Sequence, residues 1–228
     1  MFTTFDWNKM QRMIKVHKLT FNPFEENTYI LSDETNEAVI IDPGCYDREE
    51  QFELENYIEQ KGLIPVKLVN THCHIDHVLG NYFVAKRYNL KLGIHKEDVQ
   101  TLKSISSYAH LYGFDGYQLS PEPSYFLKEG EKLTFGNSEL DIIFGPGHAP
   151  GHVAFYSNED NFVINGDILF QGSFGRVDLP GGSFKILKET ITQKMFKLPD
   201  STVVYCGHGG ETTIGAEKKS NPILYMEL

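Results

Sequence analysis

Thr71-His72-Cys73-His74-Ile75-Asp76-His77 (THCHIDH) follows directly on an apolar run, Val66 to Asn70 (VKLVN). Four side chains able to bind a divalent cation fall within six residues of this stretch. In an extended segment His72 and His74 project to the same side, because residues two apart share a face. A turn into a helix expected to start near Val78 brings Asp76 and His77 round beside them. Imidazole and carboxylate suit zinc, iron and manganese alike. Four such groups exceed the needs of one tetrahedral ion if further ligands arrive from elsewhere, so a pair of ions is expected.

Further ligands are at hand. GPGHAPGH (145–152) follows the run DIIF, Gly166-Asp167 follows FVIN, and CGH (206–208) follows TVVY. Six of the nine histidines lie in the three histidine-bearing segments. Each segment begins where a strand-like run ends, and loops held by a rigid sheet are the usual place for a site. His17, His95 and His110 stand outside the pattern and read as ordinary core or surface residues. His152 reads as a support, because His148 already supplies a ligand from its loop. Cys73 reads as a packed residue and not a nucleophile, since alternation points it away from His72 and His74.

The flanking pattern is mixed. Strands are expected at 13–21, Tyr29–Ser32, Ala38–Ile41, 65–70 and 90–94 in the first half, with helices at 47–61, 78–88 and 97–110. Tyr29–Ser32 and Ala38–Ile41 pair as a hairpin around the polar turn 33–37, and Gly62 stops the first helix. The second half is richer in strands, at 132–135, 140–144, 152–157, 161–164 and 202–206, with a helix at 184–197. Residues 108–126 gather six aromatics among Gly, Ser and Pro; they read as buried against the body, with a lid over the site as the alternative. No linker divides the halves. The expectation is one domain over 13–228 after a flexible extension, 1–12, which lacks the apolar core of a secretory signal.

Composition narrows the function. The 228 residues hold 21 basic and 31 acidic side chains, a formal charge of −10, whereas a nucleic-acid binder usually shows a basic footprint. No apolar run is long enough for a membrane span. Three cysteines are too few for a disulfide scaffold, and the chain reads as cytoplasmic.

H-x-H-x-D-H at 72–77, with GH at 147–148, GD at 166–167 and GH at 207–208, resembles the metallo-β-lactamase superfamily over nearly the whole chain. The resemblance implies an α+β fold, a four-layer αβ/βα sandwich with two mixed sheets face to face and helices outside. It further implies that His72, His74 and His148 hold one metal, that Asp76, His77 and His208 hold the other, and that Asp167 bridges them. ILFQGSFGRVDLPGG (168–182) and GHGGETTIGAEKKSNP (207–222) are similar to short bacterial glyoxalase II proteins. Full-length glyoxalase II enzymes carry a further helical domain that binds glutathione; without its counterpart the resemblance implies thioester hydrolysis and not glutathione specificity.

The expected activity is therefore hydrolysis of hydroxyacyl thioesters, S-lactoylglutathione or a related acyl-thiol, with two divalent ions as cofactors. Zinc is the first choice, with iron or manganese as alternatives. Two cations about 3.5–4 Å apart can share a hydroxide of lowered pKa, and Asp76 is expected to orient it for attack on the carbonyl carbon. The partner is a small molecule, with neither nucleic acid nor membrane. For Arg176 and Asp178 an ion pair within the loop is preferred; substrate-carboxylate binding by Arg176 is the alternative. Two other functions compete. One is an iron-dependent persulfide dioxygenase using His72, His148 and Asp167, whose family usually shows GC where this chain has Gly151-His152. The other is a non-catalytic metal-binding protein on the same scaffold.

Overall fold

The computed structural model describes residues 13–227, so the expected flexible extension 1–12 lies outside the described residues. Strands β1 (Lys15–Phe21), β2 (Glu26–Ser32), β3 (Glu37–Ile41), β4 (Ile64–Val69), β5 (Leu92–His95) and β6 (Tyr125–Leu127) form one sheet in that order. Its first three strands run antiparallel and the rest parallel. The second sheet contains β7 (Lys132–Phe135), β8 (Ser138–Phe144), β9 (Val153–Ser157), β10 (Phe162–Gly166), β13 (Val203–Cys206) and β14 (Thr212–Thr213). Its order is β14-β13-β10-β9-β8-β7, antiparallel except for the β10–β13 pair. A small hairpin, β11 (Leu169–Phe170) and β12 (Ser173–Phe174), stands apart.

Period-two alternation sorts the apolar side chains into layers. Tyr29 and Leu31 of β2, with Val39 and Ile41 of β3, face Phe155 and Ile164 of the second sheet across the central core. Ile30 and Ile40 point the other way, against Leu54, Ile58, Val84 and Ile105 of the helices α1 (Arg48–Lys61), α2 (Asn81–Tyr88) and α3 (Val99–Tyr108). On the far side Val163 and Val204 meet Leu187, Ile191 and Ile214 of α4 (Phe184–Gln193) and α5 (Ile214–Ser220). The result is helices, sheet, sheet, helices, the four-layer sandwich that the motifs imply.

Helix ends follow local chemistry. Asp47 caps α1 by accepting from the amides of Glu49 and Glu50, and Gly62 ends it at φ 63°. The helix expected from Val78 begins at Asn81 instead. A 3₁₀ turn, Ile75–His77, precedes it, and the Gly80 amide is bound to the Pro43 carbonyl at 2.7 Å, which holds 78–80 as a connector. In the aromatic segment Phe114 is buried and Tyr125 and Phe126 belong to β6, while the Gly116 amide donates to the Tyr46 hydroxyl at 2.8 Å. Among the described residues no helix is long and apolar enough to cross a membrane.

Candidate metal centre

The ligand-bearing loops leave the ends of β4, β8, β10 and β13 at one edge of the sandwich. After β4 the chain bends at Thr71 and reaches an extended His74, and the 3₁₀ turn, closed by His77 N–H to His74 O at 3.2 Å, swings Asp76 and His77 back toward His72. At the end of β10 the pairing register breaks between Ile164 and Gly166, and Gly166 takes φ 52°, which turns Asp167 into the same space. A Cβ at Gly166 would stand 2.5 Å from Thr71 Oγ1, so glycine is required there for space as well as for backbone angle.

Among the described residues three groups could hold an ion: two made of the predicted ligands, and a third of Asp42, His72 and His77 that shares one histidine with each. His72, His74 and His148 form the first, with His148 Nε2 at 2.8 Å from His74 Nδ1 and 3.2 Å from His72 Nε2. Asp76, His77 and His208 form the second, with Asp76 Oδ2 at 3.6 Å from His77 Nε2 and 3.1 Å from His208 Nε2. Asp167 faces both: Oδ2 lies 3.5 Å from His148 Nε2 and 3.5 Å from His208 Nε2, and Oδ1 lies 3.6 Å from His77 Nε2. All seven sequence-predicted ligand positions thus meet in one place.

Hydrogen bonds behind the rings fix which nitrogen looks inward. His148 Nδ1 donates to the Arg176 carbonyl at 2.7 Å, and His208 Nδ1 to the Phe24 carbonyl at 2.9 Å. His77 Nδ1 meets Asp42 Oδ2 at 3.2 Å. The Thr71 hydroxyl donates to Asp42 Oδ2 at 2.6 Å, which leaves its oxygen to accept from His72 Nδ1 at 3.1 Å. With their Nδ1 atoms bonded outward, these four rings turn Nε2 toward a common space. His77 Nε2 and Asp167 Oδ1 are buried with no hydrogen-bond partner. Converging imidazole and carboxylate atoms with orphaned members cost stability unless a cation satisfies them, so the residues fit a pair of divalent ions.

The two clusters differ electrically. Burial, reinforced by neighbouring rings, holds His72 well below the usual histidine range and His74 down at about 3, so the first cluster is neutral. In the second, burial would lower His208, but bonds to Asp167 and Asp76 outweigh it and push it up to about 10. His77 is raised in the same way by Asp76 and Asp167. Burial opposes ionisation of Asp167, yet the charge on His77 holds it well below the carboxylate range.

Sequence reading found one support, His152, and missed the others. Asp42, at φ 51°, accepts from the Thr71 amide at 2.6 Å and braces His77. Asn27 holds the His208 loop, its side chain donating to the carbonyls of Cys206 and Gly209 at 3.0 Å each. Glu26 is buried beside His77 Nδ1 at 3.8 Å. The available signal was a polar residue at the end of, or inside, an otherwise apolar strand. His152 accepts the Asp167 amide at 3.0 Å through Nε2 and stacks on His72 at 4.6 Å, a support and not a ligand. Arg176 is exposed and bound to both oxygens of Asp178 at 2.7 Å, so a substrate carboxylate would compete with that pair. Cys73 is fully buried in the core.

Fold and site together define a metal-binding hydrolase scaffold, and the sequence profile of the Metallo-beta-lactamase superfamily matches residues 21–208: the chain belongs to that superfamily. It is 34% identical over 202 residues to the hydroxyacylglutathione hydrolase GloC of Haemophilus influenzae, covering 88% of this chain and 93% of that protein. The crystal structure of BLEG-1 B3 metallo-beta-lactamase matches with a TM-score of 0.84 at 30% identity, covering 93% of this chain and 100% of that one. That of TTHA1623 in a di-iron-bound form matches with a TM-score of 0.81 at 36% identity, covering 91% and 99%. Imidazole and carboxylate ligands accept zinc, iron and manganese alike, and the TTHA1623 neighbour is di-iron-bound.

Cation uptake should release protons. His208, at about 10 when metal-free, is protonated at pH 8 and must be neutral to coordinate. Calorimetric titration of metal-free protein with zinc in two buffers of different ionisation enthalpy should give at least about one proton released per chain, falling as pH approaches 10. No release at pH 8 would contradict the assignment of His208. The same shift sets the sign for stability. A raised histidine pKa stabilises the metal-free fold fully below the unfolded value of about 6.5, and that contribution is lost as pH climbs through about 10.

Proposed function

We propose that this protein hydrolyses hydroxyacyl thioesters, S-lactoylglutathione or a related acyl-thiol. The observation that carries the reading is Asp167, one carboxylate facing two ligand clusters at 3.5–3.6 Å, as a paired-metal hydrolase requires. The likeness to GloC over 93% of that protein's length supports the thioester class. Gly151-His152 supports hydrolysis over persulfide oxidation, because the dioxygenases usually show GC at this place.

Two cations, when bound, supply a Lewis acid for the carbonyl oxygen, a water of lowered pKa and a counter-charge for the departing thiolate. The remaining work falls to the chain. Asp76 is only partly buried at the open side of the site, with Oδ2 at 3.1 Å from His208 Nε2, where it can accept a hydrogen bond from the nucleophilic water and aim it. The outward Nδ1 bonds of His72, His77, His148 and His208 hold the rings against rotation during turnover. Phe24 and Tyr112, both exposed and 5.8 Å apart in an edge contact, stand beside the His208 loop and offer an apolar wall.

The test is an oxygen-free assay of zinc- and manganese-loaded protein on S-lactoylglutathione and other hydroxyacyl thioesters, following the released thiol. Thiol release is expected. Oxygen uptake by the iron form with glutathione persulfide, or opening of a β-lactam ring, each without thioester cleavage by any metal form, would overturn the proposal.

A further inference from the structure

Asp98 ends the 3₁₀ turn Lys96–Asp98 that joins β5 to α3, far in sequence from every ligand, and its side chain is completely buried. Oδ2 accepts the Cys73 amide at 2.8 Å and Oδ1 accepts the Gly151 amide at 2.7 Å. Cys73 is the residue between His72 and His74, and Gly151 lies between His148 and His152. One carboxylate therefore grips the two loops that build the three-histidine cluster, each at its middle. The approach is close enough to exclude a side chain at 151: a Cβ there would stand 2.5 Å from the Asp98 nitrogen and 2.7 Å from its Cβ. The loops are also joined at the strand ends, where the Val153 amide donates to the Thr71 carbonyl at 2.8 Å.

We infer that Asp98 is a positioning residue that sets the separation of the His72/His74 pair from His148, and so acts on the first cation site more strongly than on the second. The chemistry asks for a carboxylate. Both oxygens accept from backbone amides, and an amide side chain would turn a donor toward one of them. Among the described residues no hydrogen bond of Asp98 reaches Asp76, His77 or His208; Asp76 and His77 share the Cys73 loop but lie past its 3₁₀ turn, where Asp42 holds His77, and Asn27 and the Phe24 carbonyl hold the His208 loop. The inference rests on cation binding and is independent of the thioester reading.

The experiment compares wild type, Asp98→Asn and Asp98→Ala by cobalt titration, following the hyperfine-shifted imidazole N–H proton resonances and competition with a chromophoric chelator. Asp98→Asn should weaken the site of His72, His74 and His148 by about tenfold or more, the range of outer partners of metal sites. The N–H signals of those three rings should move most and that of His77 less, while that of His208 stays in place. A merely structural role would lower thermal stability and disturb both sets alike, and that outcome, or unchanged affinity at both sites in a folded variant, overturns the inference. A second measurement needs no variant. In metal-free wild type the Cys73 and Gly151 amides should exchange with solvent slowly; rapid exchange of either would show that the carboxylate does not hold the loops. If wild type takes up no cobalt, cation binding itself fails, an outcome distinct from either of these.

Discussion

Asp167→Ala is expected to cut turnover by more than about 100-fold, beyond the 10–100-fold carried by outer partners of metal sites. Asp167 is a carboxylate within 3.6 Å of both clusters, through Oδ1 to His77 and Oδ2 to His148 and His208. Its loss leaves the second cluster with one carboxylate and two histidines, and removes a charge shared with the first. Metal content should fall at both sites, and kcat should drop far more than KM rises, because the lost interaction acts on the reacting centre and not on the substrate's remote groups. Elemental analysis with steady-state kinetics checks this. Wild-type metal content with wild-type turnover would refute the bridging assignment.

Removing the metal should be as severe. Dialysis against a strong chelator is expected to abolish thioester hydrolysis, and readdition of zinc or manganese to restore it, with close to two ions per chain in the active form. The motivation is the pair of clusters with orphaned buried atoms at His77 Nε2 and Asp167 Oδ1. A fully active preparation holding one tight ion would sink the two-site reading, and an active preparation holding none would sink metal dependence altogether.

The ligand positions were legible because they sit in short segments after apolar runs, where spacing alone signals chemistry. Their supports, His152 apart, were not. Asp42, Asp98 and Asn27 act on partners 29, 53 and 182 residues away, on Thr71, Gly151 and Gly209, and no local pattern announces such a pairing. In the sequence Asp42-Pro43-Gly44 only ends a strand, yet Asp42 braces the β4 ligand loop at both Thr71 and His77. The fold was legible where alternation runs long, as in β2 and β3. It was hidden at β6, three residues in a stretch rich in Gly, Ser and Pro, and at α5, a seven-residue helix that opens Ile214-Gly215. For such short elements tertiary contacts decide the conformation against weak propensity.

The distribution of ligands along the chain has a consequence for linkage. Four of the seven fall between His72 and His77, so the unfolded polypeptide keeps a local chelating segment when the remaining three are scattered. A cation that binds both states stabilises the native one only by the ratio of its affinities. The rise in melting temperature on metal addition should therefore be smaller than the native-state affinity alone would give, and a peptide spanning 70–80 should measure the difference. The same segment lets a newly made chain capture an ion before the sheets have met, which makes the metal first encountered, and not only the one bound most tightly, a determinant of which ion the finished protein contains.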